Sequence, residues 1–367
     1  MRIILARHGE TDYNKNKKVQ GHSDIPLNEE GIKQGKEAGK KITDYDIDVA
    51  YSSTLGRAFD TARYMLDNSN NEINKMLDVI KDKRLIEKSY GDYEGISFAE
   101  YAAGLQNGET RGMELDVDAA DRVEEFFKEN GNFTHIINCA AYNDVDKAEN
   151  ETEQCFKVND EAPLIIAGYA KKMEAVFVTY STDFVFDGDK REPYIEEDAP
   201  NPLSVYGKTK KYMEEKILKE FEKVFIIRTS WLFGVGGNNF SKQVINWSRL
   251  RDSLNIVDDQ VSAPTYSLDL AEFSWKLIQT EKYGLYHITN SGEASKYEQA
   301  KYVLEKIGWK GKLNRAKTAD FNLPAKRPEY SKLSSEKVEK LLGEKIPTWQ
   351  SGIDRFLEEM KENGELE

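Results

Sequence analysis

Strands alternating with helices through the middle of the chain constrain its fold more than any other feature. His135–Cys139, Ala175–Tyr180 and Val224–Thr229 are short apolar runs, the last rich in Val, Ile and Phe. The stretches between them, Pro163–Lys172 and Lys208–Phe221, carry helical patterning. Strands buried on both faces read as nearly continuous apolar runs, and parallel strands need a helix to connect them. The expected fold class is therefore α/β, a doubly wound parallel sheet covered on both faces. From about Asp252 the pattern loses regularity. Leu285–Thr289 reads as a further strand, followed by three charged helices, Tyr297–Ile307, Ser335–Leu342 and Thr348–Glu362.

The first third repeats the alternation on a smaller scale. Ile3–Ala6 reads as a strand, Asn28–Ile42 as a helix, Val49–Tyr51 as a strand and Arg57–Leu66 as a helix. A chain of 367 residues has room for two ordinary domains. The polar, glycine-bearing stretch Gln106–Gly112 marks the expected junction, giving a segment 1–108 and a domain 109–367.

Charge narrows the function classes. The 65 acidic residues outnumber the 52 basic ones, for a net charge of −13. A general nucleic-acid or anionic-membrane binder needs a basic face, so neither partner is expected, although a local basic pocket is not excluded. Two cysteines, Cys139 and Cys155, cannot make a disulfide framework and suit a reducing cytoplasm. No apolar run approaches the ~18 residues of a membrane span, and no metal is expected.

Two segments carry chemistry. Tyr180-Ser181-Thr182-Asp183 ends a strand, and Tyr206-Gly207-Lys208-Thr209-Lys210 opens a helix. A tyrosine and a lysine four apart share a helix face, with Cβ atoms about 5–6 Å apart. The ammonium is expected to lower the phenol pKa, and such a phenol can protonate a carbonyl oxygen as hydride arrives at carbon. Thr182 could hold that oxygen. The spacing alone is weak, since Tyr13–Lys17, Tyr212–Lys216, Tyr297–Lys301 and Tyr302–Lys306 share it and read as helix surface. The strand end upstream and the apolar strand downstream distinguish Tyr206.

From about Leu115 to Leu357 the chain resembles dTDP-4-dehydrorhamnose reductase, an extended short-chain reductase. The resemblance is carried by Leu115-Asp116-Val117, Asn138-Cys139-Ala140-Ala141-Tyr142, Val145-Asp146-Lys147-Ala148-Glu149, Ser181–Gly188, Tyr206–Lys210, Arg228–Gly234, Asp259-Gln260, Pro264-Thr265 and Arg327-Pro328. It implies a Rossmann-like sheet with a smaller C-terminal substrate region. It also implies NADPH-dependent reduction of the 4-keto group of a nucleotide sugar, NADH being the alternative cofactor, and leaves room for a homodimer. Thr182, Asp183, Tyr206 and Lys210 would then be catalytic, with Tyr206 the proton donor. Asp116, Val117, Ala140, Ala141, Tyr142, Tyr180, Tyr206 and Lys210 would line the cofactor. Thr182, Asp183 and Trp231 would meet the substrate. Two departures stand out. The family's opening Gly-x-x-Gly-x-x-Gly loop has no counterpart before Leu115, and Ser262 stands where the family carries glycine.

Residues 1 to about 105 resemble the N-terminal half of the histidine phosphatase family, which includes phosphoglycerate mutases. Arg7-His8-Gly9-Glu10-Thr11, Gly21–Leu27, Ser52–Ala58 and Arg84–Gly91 carry that likeness. It implies His8 as nucleophile, Arg7 and Arg57 as phosphate-gripping cations and Glu87 as general acid. The family needs a second histidine, and neither His135 nor His287, both inside strands of the other domain, fits it. Three function classes follow: a rhamnose-pathway reductase, a phosphatase or phosphomutase, and a non-catalytic nucleotide-sugar-binding module. The wealth of reductase segments favours the first.

Overall fold

The structure is a computed structural model describing residue 4, residues 6–82, residues 85 and 127, and residues 133–235 and 237–366. It divides into two compact units, Met1–Phe126 and Phe127–Glu367.

In the first unit, α1 (Glu29–Lys41) packs on α2 (Gly56–Asp67), which lies against a parallel pair, β1 (Ala50–Ser52) and β2 (Val79–Lys81). Asn28 caps α1 by accepting from Gly31 N, satisfying a donor that the first helical turn leaves without a partner. The helices meet through small residues, and Ile42, Met65 and Leu66 form the core beneath them. Ile3 and Leu5 of the first expected strand lie outside the described residues, as do Gln106–Gly112 and most of 120–128.

The second unit is built on a four-stranded, all-parallel sheet. Its strands are β3 (His135–Asn138), β4 (Val176–Thr182), β5 (Val224–Thr229) and, further along the chain, Gly284–His287. They lie side by side in chain order. Between β3 and β4 comes α3 (Ala162–Lys172), and between β4 and β5 comes α4 (Val205–Glu220). Successive side chains of a strand point to opposite faces, so each strand feeds two cores. Phe177 and Ile226 pack on one side with Ala167 and Ala170 of α3 and Met213 and Ile217 of α4. Val176, Val178, Phe225 and Ile227 pack on the other, against Leu270, Phe273 and Leu277. Helices thus cover both faces, the arrangement expected from the alternation.

The chain beyond β5 runs α5 (Phe240–Leu250), β6 (Ser253–Val257), α6 (Ser267–Ile278), β7 (the sheet strand Gly284–His287), α7 (Lys296–Lys306), β8 (Lys312–Ala316), α8 (Glu336–Leu342) and α9 (Trp349–Glu362). The parallel pair β6–β8 and a core of Phe233, Val244, Leu254, Ile256, Trp349 and Phe356 build a separate C-terminal layer. None of the described helices is long and apolar enough to cross a membrane.

Candidate active site

The expected groups meet at the carboxyl end of β4, where ligands bind in open parallel sheets. Thr182 is the last residue of β4, and the short turn Asp183–Val185 follows it. Ser204 caps α4 by accepting from Gly207 N. A Cβ on Gly207 would stand 2.2 Å from Phe184 O, so glycine lets the first turn of α4 press against the Asp183–Val185 turn. That contact brings Tyr206 to Thr182.

Thr182 Oγ1 accepts from Phe184 N and donates to Asp183 Oδ1, both at 3.1 Å. The Tyr206 phenol lies beside that hydroxyl, close enough for Thr182 to favour its ionised form. Burial pushes the Tyr206 phenol up to about 12, and Thr182 only partly offsets this. The expected lowering of the phenol by Lys210 is therefore not what the structure shows. The Lys210 ammonium donates instead to Tyr180 O at 3.1 Å. Lys210 is 2% exposed, and burial draws it down to about 8 against the opposing pull of Glu214 one turn on. Glu214 in turn holds Arg228 through two bonds of 2.9 and 2.6 Å.

Asp183 is buried and its carboxylate is ringed by hydroxyls. Ser262 Oγ and Ser331 Oγ donate to Oδ2 at 3.1 and 2.5 Å, while Thr182 holds Oδ1. Burial nevertheless raises its pKa to about 6. Facing it is Lys296, the first residue of α7, whose ammonium lies 3.5 Å from the centre of the Trp231 ring and 4.6 Å from that of Phe240. Trp231 follows β5 with a φ of 44°, a left-handed conformation that a bulky residue adopts only under constraint. Lys296, Ser262 and Ser331 extend the site beyond the sequence expectations. The glycine-to-serine departure at 262 was the signal for one of them.

Of the other expected cofactor-lining residues, Ala140 and Ala141 lie exposed beyond the end of β3. Tyr142 exchanges backbone bonds with the side chain of Asn159, whose Nδ2 also reaches Thr209 Oγ1 on α4. Asn159 sits in a π-helical turn, Lys157–Glu161, a distortion frequent at functional sites. Ala141, Tyr142, Asp144, Lys147 and Glu151 line an open depression of about 300 Å³. Ser181 Oγ and Thr229 Oγ1, at the ends of β4 and β5, are buried and meet no hydrogen-bond partner among the described residues. Asp116 and Val117 lie outside the described residues.

In the first unit, Gly9 N donates to Thr61 Oγ1 at 2.9 Å, and Thr61 donates to Arg57 O at 2.7 Å. The loop carrying His8 is thus tied to the helix carrying Arg57. Gly9 is required there, since its Cβ would stand 2.3 Å from Gly31 O. His8 Nδ1 donates to Gly9 O at 2.7 Å, leaving the imidazole lone pair on Nε2. The Arg57 guanidinium, expected to grip phosphate, here braces the loop through Gly21 O and Ser23 O at 2.7 and 2.8 Å. Arg7 is exposed, and Glu87 lies outside the described residues. His287 is buried, with Nδ1 on Tyr194 O and Nε2 3.3 Å from Arg228, and burial holds it well below its ordinary pKa.

Comparison with known proteins matches residues 97–362 to the RmlD substrate binding domain and residues 3–129 to the histidine phosphatase superfamily (branch 1). The reductase match thus begins upstream of Leu115, where the sequence resemblance had been placed. The dTDP-4-dehydrorhamnose reductase of Escherichia coli K12 is 38% identical over 237 residues, covering 61% of this chain and 79% of that protein. The spore coat polysaccharide biosynthesis protein SpsK of Bacillus subtilis is 34% identical, covering 61% and 78%. Among solved structures, the dTDP-4-dehydrorhamnose reductase of Bacillus anthracis in complex with NADP superposes with a TM-score of 0.64. It shares 36% identity and covers 67% of this chain and 87% of its own.

Proposed function

The chain belongs to the RmlD substrate binding domain family, and from that premise we propose that it reduces the 4-keto group of dTDP-4-dehydro-L-rhamnose to the alcohol with NADPH. The observation that carries this reading is the meeting of Thr182, Tyr206 and Lys210 at the end of β4. NADPH, when bound, supplies the hydride. Every other part of the reaction falls to the chain.

Tyr206 stays protonated through neutral pH, so it is the proton donor to the sugar's C4 oxygen. Thr182, fixed by Phe184 N and Asp183, orients that oxygen beside the phenol. Lys210 holds the cofactor ribose, in reach of the same strand end. Trp231 bounds the sugar. Ala140, Ala141, Tyr142 and Tyr180 line the cofactor side. The reductase domain begins at 109, behind a histidine-phosphatase-like segment, and a cytoplasmic reaction fits its chemistry. The test is NADPH oxidation by the purified chain with dTDP-4-dehydro-L-rhamnose as the only keto sugar. Turnover absent at saturating concentrations of both reactants overturns the reading.

A further inference from the structure

The ammonium of half-buried Lys296 makes no hydrogen bond among the described residues. It leans on the faces of Trp231 and Phe240 at 3.5 and 4.6 Å, and among the described residues no oxygen accepts a hydrogen bond from it. The Asp183 carboxylate does not fill that role. Asp183 is already occupied by the hydroxyls of Thr182, Ser262 and Ser331, and it acts on Lys296 only through its charge. A second cation, Arg327, also faces Lys296 and repels it. Arg327 is held in place by both carboxylate oxygens of Asp146. In a chain of net charge −13, two cations converge beside the aromatic wall of the reductase site, and only one has a carboxylate of its own. An ammonium has three N–H donors and no acceptor, so one set against two ring faces with no protein oxygen to donate to calls for ligand oxygens.

We propose that Lys296 binds the diphosphate of the nucleotide-sugar substrate. The choice of ligand rests on the reductase reading, in which the nucleotide sugar lies along Trp231. A sugar whose C4 oxygen meets Thr182 and Tyr206 carries its diphosphate at C1, across the ring. With the sugar along Trp231, we place that group on the Trp231 side of the site. The ring face covered by the ammonium is closed to stacking, so Trp231 bounds the sugar by its edge or its other face, and the cation takes the phosphate oxygens. Lys296 is a specificity residue on this account, selecting nucleoside diphosphate sugars over free sugars.

The experiment is calorimetric titration of the full chain and its Lys296→Met and Lys296→Arg variants with dTDP, thymidine and NADP+. Methionine keeps the apolar stem on Trp231 and removes the charge. One charge-assisted hydrogen bond corresponds to about 10- to 100-fold in affinity. Lys296→Met is expected to weaken dTDP by that factor and to leave thymidine and NADP+ unchanged, and Lys296→Arg to stay within about threefold of the parent. Unchanged dTDP affinity in Lys296→Met overturns the proposal. So does a loss confined to NADP+, which would give the cation to the cofactor, or a parent chain that does not bind dTDP. Should Lys296→Met fail to fold, Lys296→Gln replaces it under the same criteria. Keto-sugar turnover with Lys296-independent dTDP binding sinks this proposal and leaves the reductase reading standing. Lys296-dependent dTDP binding without turnover does the reverse.

Discussion

Ser262 Oγ donates to Asp183 Oδ2 at 3.1 Å, so a hydroxyl stands against the buried carboxylate at a position where the resembling reductases carry glycine. Asp183 is next in sequence to Thr182 and receives that residue's own hydroxyl. Whatever sets the charge of Asp183 therefore also sets the orientation of the hydroxyl that meets Tyr206. Burial favours the neutral acid, and the three hydroxyl donors favour the carboxylate. Ser262 is one weight on the ionised side.

Ser262→Gly should raise the Asp183 pKa above its present value of about 6, because one of the bonds that lowers it is removed. A hydrogen bond to a charged group contributes about 1.5–3 kcal/mol, and 1.36 kcal/mol corresponds to one pKa unit. The acid limb of kcat/KM is expected to move toward neutrality by about one unit, the deletion being partly relieved by water. A pH profile that superimposes on the parent's would show that Ser262 does not hold Asp183.

Tyr206→Phe keeps the ring and its edge-on contact with Phe184 while deleting the proton donor. Losing a positioned general acid costs about 10²-fold or more in turnover. The fold should be unaffected, so thermal melting of the variant should match the parent. Turnover equal to the parent's would remove Tyr206 from the mechanism.

The sequence showed the sheet because β4 and β5 are buried on both faces, and such strands need an unbroken apolar run. It showed Tyr206 and Lys210 because a helix places residues four apart on one face. It hid the pair β6–β8, whose alternating or largely exposed faces give only a weak apolar signal. Lys296 was hidden for a different reason. It opens a helix whose Tyr297–Lys301 and Tyr302–Lys306 pairs read as solvated surface, and nothing local says that Trp231, 65 positions earlier (296 − 231), lies beneath it. Ser331 meets Asp183 across 148 residues. Contacts of that range are made by the fold, and no spacing rule reaches them. The expected Lys210–Tyr206 coupling failed because spacing fixes which residues are close, whereas burial fixes which charge form they adopt.

Glu214→Ala should be strongly destabilising. Arg228 is 2% exposed and both its bonds of 2.9 and 2.6 Å to Glu214 would be lost, leaving a buried guanidinium beside neutral His287. Breaking a buried ion pair from one side costs about 3–5 kcal/mol. Glu214 also raises the Lys210 pKa, so its removal lowers Lys210 further. Urea unfolding midpoints check the first effect. A loss below ~1 kcal/mol would mean that solvent reaches Arg228.

The first unit is not expected to act as a phosphatase. His8 and Arg57 are tied through Thr61, but the Arg57 guanidinium is already engaged by the carbonyls of Gly21 and Ser23. The chain's two remaining histidines outside its motifs are His135, in β3, and His287, sealed in the other core. Hydrolysis of an aryl phosphate should stay near background, and His8→Ala should not change it. Robust hydrolysis that vanishes in His8→Ala would refute this.

NADPH should bind more weakly than to a relative that keeps the glycine-rich loop. That loop presents backbone N–H groups to the pyrophosphate at a helix N-terminus, where the field favours negative charge. No such sequence precedes Leu115. Charge-assisted hydrogen bonds contribute about 1.5–3 kcal/mol each, so losing two weakens binding roughly 10²- to 10⁴-fold. Fluorescence titration of the purified chain checks this. Low-micromolar NADPH affinity would mean that another segment of this chain supplies the pyrophosphate donors.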